Sequence, residues 1–191
     1  MIGIGIIGCG SIAIHRHVPE YASRKDCNLV GFYDPITERA QNLADKFGGK
    51  VFESIEQLLA DKGIHAVSVC TPNKYHAPAS IAALKAGKHV LCEKPMAVSL
   101  DEAKSMINTA EECGKFLMIG HNQRLAPAHI RAKEILQSGE LGKVLTFKTA
   151  FGHGGPEYWS LDKGRHTWFF KCDEAFIGAM GDLGVHKADL I

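Results

Sequence analysis

Short apolar, β-branched runs alternate with longer amphipathic segments over the first 120 residues of the chain. The predicted strands are 2–7, 28–33, 50–52, 66–70, 89–92 and 116–119. The predicted helices between them are 11–23, 37–47, 54–61, 78–86 and 99–113. Continuously apolar strands are typical of a parallel sheet covered on both faces. The alternation therefore predicts a doubly wound α/β domain over residues 1–120.

The pattern changes after residue 120. The sequence predicts a helix over 127–137, one longer strand over 143–151 and a helix over 182–190. The chain stops inside that last helix without a capping residue. Residues 121–191 are thus expected to be the start of a second domain, and the chain a fragment of a longer protein.

Charge and cysteine content narrow the class of protein. The 22 Lys and Arg residues nearly balance the 21 Asp and Glu residues, so no nucleic-acid or membrane-surface partner is expected. The six cysteines are scattered without a C-x-x-C pair, which indicates reduced thiols and a cytoplasmic location. His15 and His17 would face different directions on a helix, so no metal site is expected.

The opening stretch MIGIGIIGCGSIA fits the fingerprint G-x-G-x-x-G/A in two frames, beginning at Gly3 and at Gly8. The fingerprint holds a dinucleotide pyrophosphate only where a strand ends and a helix begins. The frame at Gly3 has too few residues before it for a strand, whereas the frame at Gly8 follows one. An ordinary glycine-rich turn is the alternative interpretation. The predicted phosphate-binding turn comprises Gly8, Gly10, Ser11, Ile12 and Ala13.

Asp34 strengthens the prediction of a dinucleotide site. It ends the second strand, 24 residues after Gly10, close to where an acidic residue accepts hydrogen bonds from the adenosine ribose. A carboxylate there repels a 2′-phosphate, which favours NAD over NADP. The alternative is that Asp34 and Pro35 merely turn the chain before a helix.

Polar residues directly follow several of the predicted strands. Ligands of open α/β sheets bind beyond these strand ends. Glu93 and Lys94 stand out, because a charged pair emerging from a buried strand needs a partner or a solvated cleft. The strand-end residues are Thr71-Pro72-Asn73, Glu93-Lys94-Pro95 and His121-Asn122-Gln123-Arg124.

Five motifs together resemble the Gfo/Idh/MocA family of oxidoreductases, named for glucose–fructose oxidoreductase, inositol dehydrogenase and rhizopine catabolism proteins. The motifs are G-C-G-S-I-A, T-P-N-x-x-H, C-E-K-P-M-A, N-Q-R and D-L-G-V-H, and they span the whole chain. The resemblance implies a Rossmann domain that binds NAD over residues 1–120. It also implies that residues 121–191 begin an α+β domain for substrate binding and oligomerisation.

The resemblance implies a role for each polar residue in turn. The family's catalytic lysine, aspartate and histidine correspond to Lys94, Asp182 and His186. His186 would accept the hydroxyl proton, Lys94 would stabilise the alkoxide and Asp182 would orient substrate or support the histidine. It also implies a cis peptide bond before Pro95. The residues implied at the cofactor cleft are Thr71, Pro72, Asn73, His76, Glu93 and Lys94, with Asn122 and Arg124 at the domain junction.

The expected activity is therefore NAD-dependent oxidation of a secondary alcohol on a sugar, inositol or related polyol, by a protein that is a homo-oligomer when full length. Two other activities stay open on the same scaffold. One is an NAD-dependent glycosidase, which oxidises its substrate transiently and returns the hydride. The other is a ligand-sensing regulator without catalysis. A fragment that binds NAD yet is inactive, with strand 143–151 left uncovered, is a further possibility.

Overall fold

The computed structural model describes all 191 residues. Its strands are β1 (Ile2–Ile7), β2 (Cys27–Tyr33), β3 (Lys50–Val51), β4 (Ala66–Val69), β5 (His89–Cys92) and β6 (Leu117–Ile119). Its α-helices are α1 (Val18–Ala22), α2 (Thr37–Phe47), α3 (Ile55–Ala60), α4 (His76–Lys85), α5 (Leu100–Cys113), α6 (Pro127–Ser138), α7 (Pro156–Trp159), α8 (Cys172–Ala175) and α9 (Val185–Leu190). Turns of π-helix, Ala13–His17 and Met180–Gly184, lead directly into α1 and α9.

The six strands form one parallel sheet in the order β3-β2-β1-β4-β5-β6. The chain builds outward from β1 to β3, then crosses back to place β4 on the other side of β1. The carboxyl ends of β1 and β4 therefore flank a topological switch point, where ligands of such sheets bind. This order confirms the predicted doubly wound α/β fold.

A separate apolar core covers each face of the sheet. On one face Ile6 and Phe32 are fully buried together with Val18 of α1 and Leu43 of α2. On the other face Ile7 and Val67 pack with residues of α3, α4 and α5. Neighbouring β1 residues thus serve opposite faces, because side chains alternate along a strand.

The strand predicted over 143–151 is wrong. Residues 144–150 have no regular secondary structure, and the apolar Leu145 and Phe147 are 84% and 48% exposed. The alternation of side chains is suited to a strand, but a strand forms only where a neighbour pairs with its backbone. None of the six strands of the sheet pairs with this segment. The other predicted elements are present with small shifts at their ends.

None of the helices combines the length and the apolar character that crossing a bilayer requires.

Candidate active site

The glycine turn after β1 has the backbone that the second frame requires. Gly8 has φ +91°, and a Cβ on it would lie 2.8 Å from the backbone of Cys70 and Thr71. Only glycine fits such a position, because both the dihedral angle and the space exclude a side chain. A Cβ on Gly10 would meet no atom within 4 Å. Backbone at Gly10 therefore faces open space, while Gly3 lies inside β1 as predicted.

Asp34 joins the ends of the first two strands. Its Oδ2 accepts a hydrogen bond of 2.7 Å from the Cys9 amide, and its Oδ1 accepts one of 2.9 Å from the Ile36 amide. The residue is only 7% exposed. Each carboxylate oxygen keeps a further lone pair, so these contacts position the group without using up its capacity to accept hydrogen bonds. Asp34 thus turns the chain and also presents a fixed acceptor beside the glycine turn.

Glu93, directly after β5, is held by a buried chain of hydrogen bonds. His17 Nε2 lies 2.8 Å from Glu93 Oε1, and His17 Nδ1 lies 3.2 Å from the hydroxyl of Ser68. The Tyr21 hydroxyl lies 2.8 Å from the same Ser68 oxygen. Burial alone would raise the pKa of Glu93, but the hydrogen bond with His17 and neighbouring positive groups lower it below its usual value. Glu93 is therefore an ionised carboxylate with a fixed orientation.

Lys94 reaches across from the sheet to the C-terminal part of the chain. Its Nζ donates to Asp182 Oδ1 at 2.6 Å and to the Asp182 carbonyl oxygen at 3.0 Å. The two side chains are 17% and 15% exposed. His153 Nε2 lies 3.9 Å from the other Asp182 oxygen. The Lys94–Pro95 peptide bond is cis, as the resemblance implied.

His186 lies at the start of α9 within the same cluster of charges. It is 7% exposed, and Phe151 packs edge-on against its ring at 5.5 Å between centroids. Burial, and next the Lys94 ammonium, lower the pKa of His186, while Asp182 opposes them. Its Nδ1 is buried without a hydrogen-bond partner in the chain. The imidazole is therefore a neutral base near neutral pH with an unused nitrogen.

His76 and Asn73 fasten the loops that follow β4 and β5. The two ring nitrogens of His76 lie 2.9 Å from the Thr71 carbonyl oxygen and 2.6 Å from the Pro95 carbonyl oxygen. The ring is 1% exposed, so it positions backbone rather than lining open space. Asn73 Nδ2 donates to the Ala175 carbonyl at 2.8 Å, which ties the β4 loop to α8.

The two residues predicted at the domain junction lie after β6. Arg124 binds the nearly buried Asp189 of α9 through a forked contact, with its Nε 2.9 and 2.8 Å from the two carboxylate oxygens. Asn122, with Ile12, His17 and Glu93, lines a cavity of about 660 Å³ between α1 and the β6 end of the sheet. Arg124 thereby fixes α9 against the segment that follows β6.

The structure thus groups the predicted residues in two neighbouring places. Gly8, Gly10, Ser11, Ile12 and Asp34 surround the ends of β1 and β2. Thr71, Pro72, Asn73, His76, Glu93 and Lys94 follow β4 and β5, where Asp182 and His186 join them. Sequence reasoning missed the buried pair of His17 with Glu93 and the approach of His153 to Asp182. Both contacts join residues distant in the sequence, and no local pattern signals them.

The arrangement fits a dinucleotide on its own geometry. Open space lies over Gly10, a carboxylate stands beside it at Asp34, and the buried Thr71 Oγ1 has no hydrogen-bond partner in the chain. These three features lie along the edge formed by the ends of β2, β1 and β4. That edge is the crevice in which nucleotides bind to sheets of this order.

Comparison with known proteins agrees with this geometry. Residues 2–121 match the model of an oxidoreductase family with an NAD-binding Rossmann fold, and residues 129–191 match a GFO/IDH/MocA C-terminal domain. The glucose-6-phosphate 3-dehydrogenase of Bacillus subtilis (strain 168) is 36% identical over 98% of this chain and 52% of its own length. The chain spans about half the length of the curated relatives that it matches first, with 52% covered in each of two.

Two solved structures are similar over much of the chain. GenD2 from gentamicin A biosynthesis, in complex with NAD, has a TM-score of 0.83 and 27% identity over 99% of this chain and 52% of its own. KijD10, a 3-ketoreductase from Actinomadura kijaniata in complex with NADP, has a TM-score of 0.68 and 32% identity over 72% of this chain and 42% of its own. On these matches, the chain belongs to the Gfo/Idh/MocA family of oxidoreductases with an NAD-binding Rossmann domain.

Proposed function

We propose that the protein carrying this chain is an NAD-dependent oxidoreductase that oxidises a secondary alcohol of a sugar, inositol or related polyol. The observation that carries the proposal is the cluster of Lys94, Asp182 and His186 beside a crevice that fits a dinucleotide. The cluster combines a fixed cation with a neutral imidazole. Alcohol oxidation needs both, one for the developing negative oxygen and one for its proton.

The chain's own residues divide the proton chemistry between them. His186 accepts the hydroxyl proton, because burial and the nearby Lys94 ammonium keep its imidazole neutral. Lys94 donates a hydrogen bond to the same oxygen as negative charge develops on it. Asp182 fixes the Lys94 ammonium with two contacts, which leaves a third ammonium hydrogen for the substrate. Bound NAD supplies the acceptor for the hydride that leaves the carbinol carbon.

The substrate class is inferred from the relatives. Those matched over nearly the whole chain include a glucose-6-phosphate 3-dehydrogenase and a D-glucoside 3-dehydrogenase. An inositol 2-dehydrogenase matches over 77% of the chain. All three names describe oxidation of a ring hydroxyl. A polyhydroxylated ring is accordingly the first substrate class to test.

The same proposal includes three further properties. The chain divides into two domains at residue 120, the protein is cytoplasmic, and the full-length protein is a homo-oligomer. Six free cysteines support a reducing compartment. The exposed Leu145, Phe147 and Phe151 support burial of this segment against further chain. Light scattering of the full-length protein in solution tests the oligomer, and a monomer at all concentrations contradicts it.

A substrate screen tests the activity. The full-length protein is incubated with NAD and a panel of sugars, sugar phosphates, glucosides and inositols, and the absorbance of NADH is followed. We expect stoichiometric NADH with at least one ring alcohol and none without substrate. A protein that binds NAD but never reduces it with any ring alcohol contradicts the proposal. Substrate cleavage without net NADH identifies the glycosidase instead.

A further inference from the structure

Arg39 places a guanidinium beside the end of β2 that carries Asp34. It lies near the start of α2, five residues after Asp34. Burial raises the pKa of the Cys9 thiol most, the Asp34 carboxylate raises it further, and Arg39 lowers it. Both charges therefore act on the same glycine turn. Arg39 is a cation close to the acid predicted to read the adenosine ribose.

Asp162, in the C-terminal part of the chain, forms an ion pair with this guanidinium. Its Oδ1 lies 2.6 Å from Arg39 Nη2, across 123 residues of sequence. The Arg39 side chain is 23% exposed and that of Asp162 is 43% exposed. The Asp162 side chain is thus more exposed to water than the Arg39 side chain.

One further contact holds the segment that carries Asp162 against the glycine turn, and a second fixes the backbone within the segment. Ser11 Oγ donates to the Trp159 carbonyl oxygen at 3.3 Å. The buried Ser160 donates from its Oγ to the Asp162 carbonyl oxygen at 2.7 Å. Asp162 is therefore held in place by its own segment as well as by Arg39. Its carboxylate is in position before any ligand arrives.

We propose that Asp162 is a specificity determinant that makes the cofactor crevice prefer NAD to NADP. An arginine near the ribose acid is the group that accommodates a 2′-phosphate in sheets of this type. While Asp162 pairs with Arg39, its carboxylate neutralises the guanidinium charge that such a phosphate would need. The inference rests on the proposed function, because it requires a dinucleotide in this crevice. Asp162 would thus contribute to cofactor selection from outside the NAD-binding domain of residues 1–120.

The size of the effect follows from the exposure of the pair. A partly exposed ion pair contributes modestly, since water screens it. Removing one negative charge at about 3 to 6 Å from a phosphate-binding guanidinium is expected to change phosphate affinity by roughly three- to tenfold. NAD has no 2′-phosphate, so its affinity is expected to change less than about twofold.

Calorimetric titration of the full-length protein with NAD and with NADP tests the inference. We expect Asp162→Asn to lower the ratio of the NADP Kd to the NAD Kd by roughly three- to tenfold. The same substitution in an Arg39→Gln background is expected to leave the ratio unchanged, because the mediating cation is gone. Asp45→Asn is the matched control, since it removes one exposed carboxylate further along the same helix, and its ratio is expected to equal that of the wild type.

An unchanged ratio in Asp162→Asn, while the wild type binds NAD, overturns the role of Asp162 and leaves the proposed function intact. A lower ratio that persists without Arg39 also overturns it. Failure of the wild type to bind either dinucleotide overturns the proposed function, and this inference with it. Equal melting temperatures of the variants and the wild type verify that the comparison concerns folded protein.

Discussion

Lys94 Nζ lies 2.6 Å from Asp182 Oδ1, although 88 residues separate the two in the sequence. This contact closes the C-terminal segment onto the carboxyl edge of the parallel sheet. It also places the lysine ammonium where it acts on the imidazole of His186. One ion pair thereby connects the sheet, the segment before α9 and the predicted base.

Asp182→Asn tests the positioning role of this contact. The variant keeps the shape of the side chain but loses the charge that fixes the Lys94 ammonium. We expect turnover to fall by about 10²-fold, on the order of losing one aligned hydrogen-bond donor. NAD affinity is expected to stay within about threefold, since Asp182 lies outside the glycine turn. Turnover at the wild-type level in this variant contradicts the assigned role.

The pH dependence of turnover reports the protonation of His186. Its pKa is lowered first by burial and then by Lys94, so the neutral base persists below the ordinary histidine pKa of about 6.5. We expect kcat/KM of the wild type to fall as the pH falls, with a midpoint below about 6.5. In His186→Gln this decrease at low pH is expected to disappear. Because Asp182 raises the pKa of His186, Asp182→Asn is expected to shift the midpoint further down. A midpoint above about 7 is the contrary result.

The same shift makes a prediction for stability. A histidine whose pKa is lower in the folded state than in the unfolded state binds fewer protons when folded. Its contribution is present above the unfolded pKa of about 6.5 and is lost as the pH falls through the folded pKa. The free energy of unfolding is therefore expected to decrease from pH 7 to 5, less steeply in His186→Gln. Urea unfolding at several pH values measures this, and equal slopes in both proteins refute it.

Gly8 and Gly10 make a pair of contrasting predictions. A methyl group at Gly8 would lie 2.8 Å from the Cys70 backbone, and the φ of +91° at this position disfavours any side chain. Gly8→Ala is therefore expected to destabilise the fold by at least about 1–2 kcal/mol. A methyl at Gly10 meets nothing, so Gly10→Ala is expected to keep the stability and weaken NAD binding at least about tenfold. Denaturant unfolding and NAD titration separate the two effects. Equal NAD affinity in Gly10→Ala and the wild type would remove the phosphate role from this turn.

The buried pair of His17 and Glu93 predicts a stability effect. The side chains are 10% and 13% exposed, so removing His17 leaves a carboxylate largely buried without its partner. We expect His17→Ala to cost about 2–4 kcal/mol of unfolding free energy. Adding Glu93→Gln should recover part of that loss, because the amide carries no charge. A loss of less than about 0.5 kcal/mol of unfolding free energy in His17→Ala contradicts a stabilising role for the contact between His17 and Glu93.

Most of the fold could be predicted from the sequence because its signals are local. The strands of the first 120 residues are short apolar runs, and the helix from Thr37 to Phe47 has the predicted bounds. The strand expected over 143–151 failed because pairing depends on a neighbour that periodicity does not specify. The glycine turn and Asp34 could likewise be identified, since both belong to one βαβ unit.

The contacts that build the site are of another kind. Lys94, Asp182 and His186 were identified by resemblance to a family, not by any spacing that brings residues 94 and 182 together. The pairs His17–Glu93 and Arg39–Asp162 join residues 76 and 123 positions apart. Such contacts follow from how the elements pack, and each residue type is common on protein surfaces.

Turnover of Lys94→Ala and His186→Ala, measured beside their NAD affinity, is the most direct test of the proposed mechanism. We predict that each variant of the full-length protein loses at least about 10²-fold in NADH formation. NAD affinity is predicted to remain within about threefold of the wild type. Wild-type turnover in both variants, or a loss explained entirely by weaker NAD binding, would contradict the assignment of these residues to the reacting hydroxyl.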